Sequence, residues 1–176
     1  TTANKTASFS NVGDFAINSP VNAGYASADT AQLIATAARY TFGKAMVGLN
    51  YSNVQYKPGA FSSFTQSAMF NTVGVIATYD LTPAFRWAVG YSYTAEKARN
   101  GITSPAKYNQ FTMEQLYSLS KRTAFYAIEG YQRASGQRLA NGAIVDAVAS
   151  VGDSQNGTPS NGRSQFVGMV GVRHSF

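Results

Sequence analysis

The most constraining feature of this sequence is a strict two-residue alternation of side-chain type. It is clearest from Ala84 to Glu96. One set of alternate positions there holds Phe85, Trp87, Val89, Tyr91 and Tyr93, and the other holds Arg86, Ala88, Gly90, Ser92 and Thr94. Successive side chains of a β-strand point to opposite faces, so this pattern predicts a strand with one large apolar face and one face of small and polar residues.

The same alternation recurs along most of the chain and predicts seven strands. They cover Ala31 to Phe42, Ala45 to Tyr56, Ala68 to Leu81, Ala84 to Glu96, Tyr108 to Leu119, Thr123 to Ala134 and Ser164 to Phe176. Short connections at Gly43, Pro83 and Lys121 alternate with long connections near Lys57, Arg99 and Gly136. Strands joined by such short turns pair as antiparallel hairpins, so the predicted fold is all-β and antiparallel.

Composition favours a membrane location for these strands. Charged residues make up 12% of the chain, whereas soluble domains average about 25%. No apolar run approaches the ~18 residues of a transmembrane helix, but a transmembrane β-strand needs only ~10 residues. The aromatic residues near both ends of the Ala84 to Glu96 strand fit the two interfacial girdles of a membrane barrel. The alternative is a soluble β-barrel with an aromatic core that binds an apolar ligand.

Two stretches carry a resemblance to a known family. The last strand, SQFVGMVGVRHSF from Ser164 to Phe176, alternates up to an aromatic final residue, and SKRTAFYAIEGYQRASG runs from Ser120 to Gly136. Together they resemble the general porins of Gram-negative bacteria, of the β-proteobacterial type, over roughly Ala31 to Phe176. The resemblance implies an antiparallel transmembrane β-barrel of roughly 16 strands, a homotrimer in contact with outer-membrane lipid and lipopolysaccharide, and a terminal Phe176 that is the signal for barrel assembly.

The predicted strand count is odd, whereas bacterial single-chain barrels have an even number of strands. An open edge within lipid would leave backbone groups without hydrogen bonds. We therefore expect this chain to supply about seven C-terminal strands of a porin barrel, with residues 1–30 as an extracellular loop and residues 31–176 as strands and loops. The remaining strands would come from an N-terminal part or a separate chain. The alternative is an eighth strand in Asn11 to Gly24 that closes a small barrel.

Six charged residues on the predicted strands are candidates for lining a channel. They are Arg39, Arg86, Arg133, Arg173, Glu114 and Glu129. Charges along a narrow aqueous path select ions by Coulomb attraction, and the net charge is +6. The predicted function is a general diffusion porin: a water-filled, anion-biased channel for passive passage of ions and small hydrophilic solutes.

Two alternatives to this channel remain open at the level of sequence. In the first, the arginines only pair with Glu114 and Glu129 and hold the wall of the barrel. In the second, the chain forms a small closed outer-membrane barrel with an adhesive or structural role and no open pore.

The sequence offers little for other functions. His174 is the only histidine and falls on the apolar face of the last strand, and there are no cysteines. No phosphate-binding loop, metal-spaced cluster or nucleophile motif is present. The 14 Lys and Arg residues are scattered rather than clustered, which disfavours nucleic-acid binding. We therefore expect no enzymatic activity, no cofactor, no bound metal and no nucleic-acid partner.

Overall fold

Seven long strands form one antiparallel sheet in the computed structural model, which describes residues 19–151 and 160–176. The strands are β1 (Thr30–Phe42), β2 (Ala45–Lys57), β3 (Ala68–Asp80), β4 (Phe85–Glu96), β5 (Lys107–Ser118), β6 (Thr123–Ser135) and β9 (Ser164–His174), and the last long loop adds a hairpin of β7 (Gln137–Ala140) and β8 (Ala143–Asp146). The order in the sheet is β1-β2-β3-β4-β5-β6-β9. The predicted fold class and the seven strands are confirmed, with boundaries within two residues. The β7–β8 hairpin was not predicted.

The register gives this sheet two chemically different faces. Gly74 lies opposite Asn50 and Ser92, whereas the next residue, Val75, lies opposite Leu49 and Tyr91. Residues directly opposite each other on neighbouring strands point to the same side of a sheet, so small and polar residues collect on one face and large apolar residues on the other. We call the first the inner face, because the long loops pack against it, and the second the outer face.

Polar side chains close the short turns. In the turn from β3 to β4, the hydroxyl of Thr82 accepts a hydrogen bond from the amide of Phe85 at 3.0 Å. In the turn from β5 to β6, the hydroxyl of Ser120 accepts from the amides of Arg122 and Thr123, both at 3.1 Å. Side chains of this type replace hydrogen bonds that the backbone loses where a strand ends. These turns lie at one end of the sheet and the long loops at the other.

The buried core lies under the long loops rather than between two sheets. The ring of Tyr25 packs against Tyr56, Phe64 and Phe70, with centroid distances of 5.8, 5.1 and 5.8 Å. The preceding Gly24 lies against the backbone of Leu139, where a Cβ would come within 2.1 Å of the carbonyl oxygen. Only glycine permits this approach. The loop end of the inner face is therefore covered by a packed layer, which we call the loop core.

The sheet is not closed, and β1 and β9 are its edges. The alternative of an eighth strand in Asn11 to Gly24 gains no support from residues 19–24, which form a turn and the start of a short 3-10 helix at Ala23–Tyr25; residues 11–18 lie outside the described part. The predicted loop over residues 1–30 is described only from residue 19 onward. Within the described ranges, the chain contains no helix that is long and apolar enough to cross a membrane.

Candidate channel surface

An open concavity of about 600 Å³ lies on the inner face of the sheet. Most of the inner-face residues around it are small or polar; they include Ala37, Arg39, Gly48, Asn50, Gly74, Gly90, Ser92, Gln110 and Thr112. Alanine, serine and glycine leave space in front of a strand, and amide and hydroxyl groups hydrogen-bond water. This surface is therefore suited to a hydrated lumen.

Four of the six predicted channel-lining residues lie on the inner face. Arg39 lies opposite Gly48, and Glu114 lies between Ala88 and Ile128 on the neighbouring strands. Arg86 lies opposite Asp80, and Arg173 lies opposite Ala124. That these four side chains line a water-filled channel stays a prediction.

Arg86 is held by a carboxylate that was not among the predicted site residues. Its Nε lies 2.5 Å from Oδ1 of Asp80, and its Nη2 lies 3.0 Å from Oδ2. Such a two-bond arrangement orients the guanidinium. Within the described residues the other salt bridge joins Arg163 and Asp146. The alternative in which the channel arginines pair with Glu114 and Glu129 is therefore not seen in this part of the chain.

Glu129 and Arg133 were predicted to line the channel, and the structure places both on the outer face. Glu129 lies opposite Met113, and Arg133 lies opposite Asn109. The buried positions of β6 are the intervening ones, including Gly130, Gln132 and Ala134. The prediction that these two residues face the lumen was wrong, because both faces of β6 carry large apolar residues and the position of a charge in the sequence does not distinguish them. The register with β5 decides the face.

Basic residues collect at the short-turn end of the sheet. Lys44 lies in the turn between β1 and β2, and Lys121 and Arg122 lie in the turn between β5 and β6. Arg86 and Arg173 are close to the same end, because each is at most two residues from the end of its strand. Like charges at one rim of a passage attract ions of the opposite sign, so this end of the sheet is suited to anions.

A segment of the last loop lies on the inner face and was not predicted to do so. The amide of Ser150 donates to Oε1 of Gln132 at 2.8 Å, and the amide of Val151 donates to Oε1 of Gln165 at 2.7 Å. A Cβ on Gly130 would come within 2.7 Å of the Val151 side chain. We call residues 147–151 the inner segment. It narrows the space in front of β6 and β9.

The inner segment is held by a row of glutamines. These residues become neighbours only through the register of the strands. Gln132 lies opposite Gln110 and Gln165, and its amide nitrogen donates to Oε1 of Gln110 at 2.8 Å. In the sequence these residues are more than 20 positions apart. Glutamine offers both donors and an acceptor, so this row can hold a loop backbone that would otherwise lack partners.

The loop core contains a buried polar contact that the sequence pattern does not predict. The hydroxyl of Tyr25 donates to Oε1 of Glu96, and both residues are almost completely buried. Burial and the neighbouring Glu96 carboxyl raise the pKa of Tyr25 well above its usual value, so the phenol stays protonated and keeps donating. This contact joins the segment before β1 to the last residue of β4.

Phe176 ends the chain in an exposed position. Its ring contacts His174 at a centroid distance of 4.8 Å, and the amide of Ser175 still pairs with the carbonyl of Arg122 at 2.9 Å. The backbone is therefore tied down almost to its last residue while the ring remains accessible. Its role as an assembly signal stays a prediction.

Comparison with known proteins bears on the fold. No family model and no curated protein sequence matches this chain. Among solved structures, "Outer-membrane expressed OmpT of Vibrio cholerae" has a TM-score of 0.60 and 19% identity over 82% of this chain and 41% of that chain. "Anion-selective porin from Comamonas acidovorans" has a TM-score of 0.59 and 21% identity over 82% of this chain and 39% of that chain. A trimer form of the Vibrio cholerae protein has a TM-score of 0.58, 18% identity and coverage of 82% and 41%.

This chain has the fold of an outer-membrane β-barrel wall. It spans about two fifths of the length of the solved chains that it matches, because the printed coverages are 39% to 41%. The predicted outer-membrane location agrees with these neighbours. Membership of the porin family stays a prediction, since the likeness lies in structure rather than in sequence.

In the described ranges, no three His, Asp or Glu residues lie together in a way that could hold a metal ion.

Proposed function

We propose that this chain forms part of the wall of an outer-membrane general diffusion porin. The water-filled channel passes ions and small hydrophilic solutes passively and favours anions. The observation that carries the proposal is the division of the sheet into two faces, one apolar and exposed, the other polar, small-residued and concave.

The outer face requires an apolar surrounding. Ile34, Leu49 and Val73 expose 54%, 59% and 54% of their surface, and they lie on three neighbouring strands. Monomeric soluble proteins rarely expose a continuous apolar surface of this extent. Aromatic residues flank it towards both ends of the strands, as in the girdles of membrane barrels. The outer face is therefore suited to lipid or to another apolar protein surface.

The inner face supports an aqueous passage with an excess of positive charge. Its arginines are Arg39, Arg86 and Arg173, and the carboxylates on the same face outside the loop core are Asp80 and Glu114. The basic residues of the short turns add to this excess at one rim. A hydrated passage with net positive walls lowers the energy of an anion and raises that of a cation.

Closure of the barrel requires more strands than the sheet contains. Each edge strand has one side without a backbone partner in the sheet, and lipid offers no hydrogen bonds to such groups. We infer that further porin strands, from an N-terminal part or from another chain, pair with β1 and β9. A homotrimer is the assembly that we propose, and the trimer form of one neighbour is in keeping with it.

A barrel without an open pore is the second candidate. The observation that favours it is the loop core, which covers the loop end of the inner face with packed aromatic residues. Such a layer closes the lumen if the remaining strands bring loops of similar size.

Planar-bilayer conductance under a salt gradient separates the two candidates. The sample is the completed barrel, purified in detergent from outer membranes; we call this protein, with residues 1–176 and all further strands that pair with them, the full-length protein. Stepwise openings in groups of three, with a reversal potential of the sign expected for anions, support the trimeric porin. Heat-dependent gel mobility shows whether the protein is folded. If a folded protein gives no conductance in the bilayer, the result contradicts the pore and favours the closed barrel.

A further inference from the structure

Glu129 is a charged residue in the middle of the outer face. It lies halfway along β6, which runs from Thr123 to Ser135, and it falls between Phe125 and Tyr131 on the same face. The other Lys, Arg, Asp and Glu residues on the outer face of the described strands are Lys57, Lys107 and Arg133, and each is within three residues of the loop end of its strand. Glu129 alone among these four lies at the depth of the apolar belt.

A carboxyl group at that depth is costly if it faces lipid. Ionisable residues within the hydrocarbon region are rare and are normally paired or turned away from lipid. Among the described residues, Glu129 has one hydrogen-bond partner: Nε2 of Gln115 donates to its Oε2 at 3.3 Å. A single long hydrogen bond leaves most of the acceptor capacity of the carboxylate unused, since its two oxygens offer about four sites.

The surroundings of this pair allow another chain to approach closely. Ala127 lies beside Glu129 on the outer face of β6, and Gly168 lies opposite it on β9. Next to Gln115 there is an outer-face recess of about 430 Å³, lined mainly by apolar residues that include Phe85, Tyr117, Phe125, Val170 and Val172. Small residues such as Ala127 and Gly168 are typical of close packing between membrane segments.

Symmetry restricts what can satisfy the pair. Copies inserted with the same orientation are related by an axis along the membrane normal, so each residue in their interface meets residues of its own depth. At the depth of Glu129, the described outer face has no cation but does have the Gln115 amide. That amide carries two N–H donors and one acceptor, and the carboxylate supplies acceptors. Where this surface lies next to the axis, the pair of one copy meets the same pair of a second copy, and the two pairs are complementary.

We propose that the outer face around Gln115 and Glu129 is a contact surface for a second copy of this chain. Hydrogen bonds between the amide of one copy and the carboxyl of the other remove these groups from lipid. The inference rests on the membrane location given under the proposed function and adds which face of the barrel the homotrimer uses.

A photo-crosslinking amino acid at position 127 tests this contact directly. The control is the same replacement at Ala77, an alanine on the outer face of β3. Ala77 is connected to Glu129 across the sheet by directly paired residues, through Val89 on β4 and Met113 on β5. In irradiated outer-membrane vesicles, the full-length protein should form adducts with masses of two or three copies from position 127 and none from position 77. Adducts at position 127 with lipid or with a different protein overturn the proposal.

The variants Glu129→Leu and Glu129→Gln give a second test with opposite expected signs. If Glu129 meets a second copy, leucine leaves the Gln115 amides without their acceptor, and the oligomer dissociates in detergent at a lower temperature, whereas glutamine largely preserves it. If Glu129 faces lipid, leucine removes a polar group from hydrocarbon and raises the stability of the barrel, which overturns the proposal.

Conductance of the same samples distinguishes failure of the interface from failure of the proposed function. A cross-linked oligomer that does not conduct contradicts the porin but keeps the interface. A conducting protein without cross-links between copies contradicts the interface but keeps the porin.

Discussion

At the scale of single residues, the effect of a charged side chain on passing ions depends on the face of the sheet that carries it. Arg133 and Arg173 are both arginines on neighbouring strands, yet Arg173 is on the inner face and Arg133 on the outer face. A side chain in a hydrated lumen acts on passing ions, whereas one on the outside of the wall is separated from them by the low-dielectric barrel. The two residues therefore compare an inner-face arginine with an outer-face arginine.

Replacing Arg39 or Arg173 with serine should lower the anion-to-cation permeability ratio. A unit charge about 10 Å from an ion in water contributes about 0.4 kcal/mol, so we expect a change of about two-fold for each substitution after salt screening. The measurement is the reversal potential of the full-length protein in a planar bilayer. Arg133→Ser is the control and should leave the ratio unchanged; an equal effect of all three variants would contradict the assignment of faces.

Replacing Tyr25 with phenylalanine should destabilise the loop core. Oε1 of the buried Glu96 carboxyl would then lose the Tyr25 hydroxyl as its donor, while Oε2 already lacks a partner among the described residues. Leaving a buried acceptor without its donor costs about 1–3 kcal/mol. The control is Tyr108→Phe, because the hydroxyl of Tyr108 is buried without a hydrogen-bond partner among the described residues and its removal should be nearly neutral. Proteolysis of the loops in detergent measures the difference; similar protection of the two variants would count against a stabilising role for the Tyr25–Glu96 contact.

At the scale of structural elements, the strands and the loops have different requirements. Alternation suffices to predict a strand, because burial of one face follows from the two-residue period. The position of a loop depends instead on the side chains of the folded strands that hydrogen-bond to it or pack against it. The inner segment is an example, since its backbone amides bind Gln132 and Gln165, which come from two different strands.

Replacing Gln132 with alanine should release the inner segment. The amide of Ser150 loses its acceptor, and the segment then covers less of the inner face. We expect a larger single-channel conductance of the full-length protein, together with faster proteolysis within the last long loop. Gln32→Ala is the control, because Gln32 is on the outer face and accepts a hydrogen bond from Lys57 at 3.0 Å. Unchanged conductance and cleavage would show that Gln132 does not hold the segment.

At the scale of the whole molecule, the open edges of the sheet decide what the chain can do alone. Unpaired backbone groups along β1 and β9 are tolerated in water but not in lipid. Exposed edge strands also invite pairing with other chains. The proposed channel would therefore be a property of a completed barrel rather than of this sheet.

Residues 1–176 expressed without further porin strands should give no stepwise openings in a planar bilayer. They should also aggregate on refolding into detergent, because both edges remain unpaired. Conductance and heat-dependent gel mobility are the measurements, and the full-length protein is the control. Regular openings from residues 1–176 alone would show that these strands close a barrel by themselves.

The sequence by itself determined the seven long strands of this protein and the contrast between the two faces of strands such as β4. The two-residue alternation is local, so strand positions, hairpin connections and the apolar face of β4 follow from neighbouring residues. Tertiary structure alone decided three things: the face of Glu129 and Arg133, the contact of Tyr25 with Glu96, and the position of the inner segment. Each depends on register or on loop packing between residues far apart in the chain, and a period within one strand contains no information about either.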